Sequence, residues 1–129
     1  MATSWHILFC DEQIRSCPVS EFIDACPSKH QIKILRFLSL LESEGPTLPR
    51  PYADTLVEGI HELRIKLSGD QIRLLYFFAH QKFIVLYYAF VKNTRRVPPK
   101  FIHKVMEYRE QFLQTVPKDR LEELVGVQV

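Results

Sequence analysis

The chain has 129 residues, 47% of them apolar and 25% charged, with a formal net charge of +2. That length and balance describe one globular domain spanning residues 1–129, with enough chain for a core, and exclude a disordered or low-complexity protein. No run approaches the ~18 apolar residues of a membrane span, and the small net charge does not by itself imply a polyanionic partner.

In chain order, Trp5 to Phe9 is a short apolar run that predicts a first strand. The stretch before it lacks a basic region, and Asp11 and Glu12 follow early, so the N-terminus does not read as a signal peptide and the expected location is cytoplasmic. Three cysteines, Cys10, Cys17 and Cys26, fall in the first quarter and read as reduced, buried thiols. The spacing of Cys17, Cys26 and His30 is unsuited to a metal site, and no metal or cofactor is expected.

Pro18 with Ser20 and Glu21 starts a brief helix. Pro27 and Ser28 open a second, with an apolar stripe at 32, 35, 38 and 41, stopped by Gly45–Pro46. The three prolines of "GPTLPRPYA" make a stiff connector, and residues 54–59 are expected to form a turn or a short helical turn. "IHELRIKL" then alternates as a strand, with Leu63, Ile65 and Leu67 on one side and Glu62, Arg64 and Lys66 on the other. "IRLLYFFA" and "FIVLYYAFV" are near-continuous apolar runs, as in strands covered on both faces. After Pro98–Pro99, Phe101, Val105, Tyr108 and Phe112 define one face of a last long helix, ended by Pro117, with a final helical turn that frays. The order β-α-α-β-β-β-α predicts an α+β fold: a small twisted antiparallel sheet, a three-stranded meander plus an N-terminal strand, with helices packed on it.

Charge is unevenly spread. Between Glu62 and Val105 nine Lys and Arg stand against two acids, a net of +7 that leaves the remainder at −5. Four of those cations, Lys92, Arg95, Arg96 and Lys100, lie within nine residues that hold no acid. A four-residue "SGDQ" loop would set Lys66 opposite Arg73. A two-residue "HQ" loop would set Arg73 opposite Tyr88 and bring Tyr88, Phe90 and Lys92 onto the face of Arg64, Lys66 and Arg73. A three-residue "HQK" loop would turn Lys92 away. On the first register the face is cationic at one end and apolar at the other, with Leu75, Phe77, Ile84 and Leu86.

Arginine and lysine held on strands, with tyrosine among them, suit a phosphodiester and unpaired bases. Such cations can also stabilise the phosphorane formed when a ribose 2′-OH attacks the adjacent phosphorus, with a lysine as general base. Against this, Glu62, Glu42, Glu44 or Glu107 could simply neutralise Arg73, and Lys92, Arg95 and Arg96 could be a solvated strand exit.

The string "GIHELRIKLSGDQIRLLYFF…FIVLYYAFVKNTRRVPPKFI" resembles the RelE/HigB toxins of type II toxin–antitoxin systems, in their phage-derived branch. Gly59, Glu62, Leu63 and Arg64 match a first element, Arg73 with Tyr76 and Phe77 a second, and Phe90, Lys92, Thr94 or Arg95, Arg96 and Pro98 a third. The resemblance covers roughly residues 50 to 115. It implies a metal-independent endoribonuclease (mRNA interferase) that cleaves mRNA, usually on the ribosome, and is inhibited by a cognate antitoxin, a helix-turn-helix protein. By position, Arg64, Lys66, Arg73 and Lys92 would be catalytic, and Arg95, Arg96, Lys100 and Tyr88 would contact RNA. Asn93 stands where relatives carry a second lysine, and for a terminal acid/base His103 and Tyr108 are the candidates. The alternatives are a non-catalytic RelE-like domain that binds RNA or its partner, and a scaffold whose basic edge docks an acidic helix.

Overall fold

A computed structural model describes residues 5–10 and 17–124. A five-stranded sheet of order β1-β5-β4-β3-β2 forms from β1 (His6–Phe9), β2 (Ala53–Val57), β3 (Ile60–Leu67), β4 (Asp70–Ala79) and β5 (Phe83–Val91). Helices α1 (Pro18–Asp24) and α2 (Ser28–Glu44) precede the meander, and α3 (Pro99–Thr115) and α4 (Lys118–Leu124) follow it. The α+β class holds. The sheet is mixed, because β1 pairs parallel with β5 while the other strands pair antiparallel. The fraying expected of the chain end lies outside the described residues.

Of residues 54–59, only Glu58 and Gly59 form a turn, the hairpin between two strands. "ADTLV" is strand β2, paired with β3 from Ala53↔Leu63 to Val57↔Ile60. Its pattern is short and carries Asp54, so its strand state comes from pairing with β3 more than from local preference.

The sheet is covered on both faces, which is why β4 and β5 read as continuous apolar runs. On one face Leu63, Ile65, Leu74, Tyr76, Ile84 and Leu86 pack beneath α1 and α2. On the other Leu75, Phe77, Phe83 and Val85 pack beneath Val105 and Phe112 of α3 and Leu121 of α4. The stripe expected on α2 is shifted. Ile34, Leu38 and Leu41 are buried, whereas Ile32 and Leu35 are more than half exposed. Both patterns have helical spacing, and only the position of the sheet chooses between them.

Two turns differ from the expected register. The β3–β4 connection is the two-residue turn Ser68–Gly69, both at positive φ, the geometry that suits the twist of a tight hairpin. Asp70 and Gln71 therefore belong to β4, Lys66 faces Gln71, and Arg64 faces Arg73. The β4–β5 turn has three residues, His80 to Lys82, so that Ala79 faces Phe83. Taken alone this would turn the end of β5 to the other face. A β-bulge reverses it: Tyr76 faces Leu86 but Leu75 faces Tyr88, so Tyr87 is the extra residue. Arg73 thus faces Phe90, not Tyr88, and Tyr88 and Phe90 still share the face of Arg64 and Arg73. Ile84 and Leu86, on the far side of the bulge, lie on the opposite face, not among Leu75 and Phe77.

Candidate functional site

The α3 side of the sheet is only partly covered. Its covered end carries Leu75 and Phe77, and its open end carries Arg64, Lys66, Gln71 and Arg73. β2 pairs with β3 only as far as Leu63, and a last backbone bond, Arg64 N to Tyr52 O at 2.8 Å, ends the pairing. Beyond it, among the described residues, the edge of β3 is free of a strand partner. There Lys33 of α2 donates its ammonium to the Lys66 carbonyl, which occupies an acceptor left open at the edge. A cleft of about 320 Å³ runs along this edge, lined by Arg64, Lys66, Gln71 and Arg73 on the sheet side and by Lys33, Phe37, Pro51 and Tyr52 opposite.

The cations at this end differ in their freedom. Arg73 is 6% exposed and Glu62 2%. Arg73 Nε lies 3.2 Å from Glu62 Oε1, in ion-pair contact without the alignment of a hydrogen bond. Its NH1 donates to the Ile72 carbonyl at 3.0 Å and to Gln71 Oε1 at 3.4 Å. Burial pulls the Arg73 guanidinium below its ordinary range, while Glu62 acts the other way, and it remains charged at neutral pH. Arg64 donates to Glu62 Oε2 at 3.0 Å and to Asp54 Oδ2 at 3.3 Å, and Arg50 reaches the same Asp54 oxygen at 2.8 Å. The Arg50 hydrogen bond holds the Asp54 carboxyl below the usual carboxylate range. Three arginines and two carboxylates thus form one network, with one positive charge in excess. Lys66 is exposed and, among the described residues, forms no ion pair. Two like charges directly opposed on neighbouring strands, Arg64 and Arg73, are compatible because Glu62 sits between them.

Lys92 is set apart. Its backbone N donates to Gln71 O at 2.7 Å, on the side of β4 away from β3. Its side chain lines a second cleft of about 300 Å³ with Phe90, Asn93, Thr94, Lys100 and Phe101. Arg95 and Arg96 are exposed in the following bend, where Thr94 Oγ1 donates to Arg96 O at 2.6 Å. Lys100 lies over the Phe101 ring, 5.3 Å from its centroid. Tyr88 is half-buried, 4.8 Å from the Phe101 ring, in an aromatic cluster that seats the start of α3. Of the residues singled out from sequence, Arg64, Lys66 and Arg73 therefore share one cleft, Lys92 and Lys100 share the next, and Tyr88 packs between sheet and helix. Of the terminal acid/base candidates, Tyr108 packs against Tyr87, Phe77 and Phe112, and His103 is on the exposed side of α3.

Sequence reasoning missed Lys33 and Tyr52. One lies on a helix and the other in the proline-rich connector, and no local signal points either of them toward β3. The helical pattern of α2 could have shown only that Lys33 is exposed.

The five-stranded mixed sheet with its helices is consistent with a small RelE-like α+β fold. Residues 21–110 match the family described as Phage derived protein Gp49-like (DUF891), and the chain belongs to that family. The family is phage-derived and toxin-like, associated with the toxins of toxin–antitoxin systems, which suggests an antitoxin as partner. No curated protein matches the chain. Among the described residues no helix is long and apolar enough to cross a membrane.

Proposed function

We propose that this protein is the toxin of a type II toxin–antitoxin system, an endoribonuclease that cleaves mRNA without a metal, acts on the ribosome, and is inhibited by a cognate antitoxin. The observation that carries the reading is the open cleft on β3, where Lys66, Arg64 and Lys33 gather on rigid elements beside Tyr52. In a phosphodiester bound there, the ribose 2′-OH attacks the adjacent phosphorus. The P–O5′ bond then breaks, leaving a 2′,3′-cyclic phosphate and a free 5′-hydroxyl. Lys66 and the Arg64 guanidinium offset the charge of the phosphorane, and Glu62 and Asp54 keep that guanidinium in place. The Tyr52 phenol and the Lys66 and Lys33 amines are the groups of the cleft able to move a proton. Lys92, Arg95, Arg96 and Lys100 continue the positive surface past Gln71 and extend the grip on the RNA backbone.

The test is induction of the protein followed by primer extension on mRNA. The expected result is growth arrest, new 5′-hydroxyl ends, and cleavage insensitive to EDTA. A second reading, an RNA-binding protein that does not cleave, is favoured by the burial of Arg73 against Glu62. It predicts intact mRNA and ribosome binding that weakens steeply with salt.

A further inference from the structure

Cys10 follows the last residue of β1, and Cys17 precedes the first residue of α1. Their Sγ atoms lie 2.6 Å apart, and both residues are 1% exposed. The pair is sealed against β5. Cys10 N donates to Leu86 O at 3.1 Å, Cys10 Sγ to Tyr87 O at 3.3 Å, and Cys17 Sγ to Leu86 O at 3.6 Å. The carbonyl of the bulged Tyr87 is thus met by a thiol. Cys26 is separate, its thiol donating to Phe22 O at 3.3 Å within the α1 turn.

We propose that Cys10 and Cys17 are a site of reversible oxidation, a dithiol that closes to an intramolecular disulfide under a small peroxide. Each sulfur is held on the end of a regular element, and no other thiol competes for either. The Cys10 hydrogen bond lowers the Cys17 thiol to about 7, which supplies thiolate at neutral pH, whereas burial pushes Cys26 up. The Cys17 thiolate attacks one peroxide oxygen. An S–O bond forms, the O–O bond breaks, and hydroxide leaves. Cys10 sulfur then attacks the sulfenic sulfur. The S–S bond forms, the S–O bond breaks, and the departing oxygen leaves as water with the Cys10 proton. Two thiols and one hydrogen peroxide thus give one disulfide and two waters. A small-molecule thiol reverses the bond by exchange. The burial of both sulfurs selects a small oxidant that enters through local opening. Oxidation removes the S–H donors from the Leu86 and Tyr87 carbonyls and joins β1 to α1 covalently.

The experiment uses the full wild-type chain, reduced and then exposed to hydrogen peroxide, with alkylation by iodoacetamide in denaturant and peptide mass mapping. The expected result is a peptide pair linked through Cys10 and Cys17 with the loss of two hydrogens, reversed by dithiothreitol, while Cys26 stays alkylated. The disulfide form should melt several degrees higher, since the cross-link shortens the unfolded chain. Cys26→Ala should leave the bond intact. Alkylation of Cys10 and Cys17 to the same extent as Cys26 would overturn the proposal. So would irreversible oxidation of either, or a bond that joins Cys26 or two chains. Because the decisive readout is on the wild-type chain, it does not depend on whether Cys10→Ser or Cys17→Ser folds.

Discussion

Arg73 and Glu62 form an ion pair that is almost sealed from water, with Arg73 Nε 3.2 Å from Glu62 Oε1. The second carboxylate oxygen is taken by Arg64. The arrangement is asymmetric, because one acid serves two cations. Glu62→Gln leaves Arg73 buried without a counter-charge, whereas Arg73→Met leaves Glu62 still paired with Arg64. Urea unfolding should therefore show a loss of about 3 kcal/mol or more for Glu62→Gln and a clearly smaller loss for Arg73→Met. Equal losses would show that Arg64 does not hold the carboxylate on its own.

Lys66 separates function from stability. It is exposed and outside the ion-pair network, so Lys66→Ala should keep stability within about 0.5 kcal/mol of the wild type. If β3 carries the chemistry, mRNA cleavage by this variant should drop about 100-fold or more. Primer extension would report the loss. Full cleavage by Lys66→Ala together with none by Lys92→Ala would move the chemistry to the cleft beside Lys100.

His61 links folding to pH. Its ring lies 5.5 Å from Tyr76 and 5.1 Å from Phe78, and its Nδ1 is 3.0 Å from Thr55 Oγ1. Burial, and secondarily Arg109, hold the ring below its ordinary 6.5. A depressed folded value means that the unfolded chain binds the extra proton first. Its contribution to stability is thus complete above 6.5 and is lost as the pH falls below that value toward the folded pKa. Chemical unfolding between pH 7.5 and 5 should show the decline, and His61→Gln should flatten it. An unchanged slope in the variant would assign the decline to another group.

Gly59 and Gly69 both sit in hairpin turns at positive φ, +84° and +92°. A Cβ on Gly69 would meet open space, while a Cβ on Gly59 would come within 3.0 Å of the Arg109 guanidinium carbon. Gly69→Ala should cost about 1 kcal/mol from backbone strain alone, and Gly59→Ala more, because Arg109 must also move. The difference between the two unfolding free energies isolates the contact. A Gly69→Ala loss as large as that of Gly59→Ala would remove Arg109 from the account.

The long elements were legible because their signals are local. Pro27–Ser28 and Gly45 bracket α2, Pro98–Pro99 launch α3, and the alternation of "IHELRIKL" is that of β3. What failed depends on partners distant in sequence. β2 exists because β3 lies beside it, and the buried side of α2 is set by where the sheet runs. The common face of Arg64, Arg73, Tyr88 and Phe90 was reached through two compensating errors, a β4–β5 turn one residue too short and a bulge not foreseen. The composition of the β3 cleft was half legible. Arg64, Lys66 and Arg73 share a strand pair, but Lys33 and Tyr52 arrive from other parts of the fold.

The extra residue at Tyr87 divides β5 into two stretches of opposite phase. Ahead of it Ile84 and Leu86 serve the α1–α2 core. Behind it Ala89 serves that core, and Tyr88 and Phe90 turn to Phe101 of α3. A single inserted residue thus acts as a coupling joint between a scaffold half and a rim half of one strand. Substitutions ahead of it are constrained by the packing of two cores. The strand exit from Lys92 to Lys100 hangs from the other half, and its exposed charges can change without disturbing the fold that carries it.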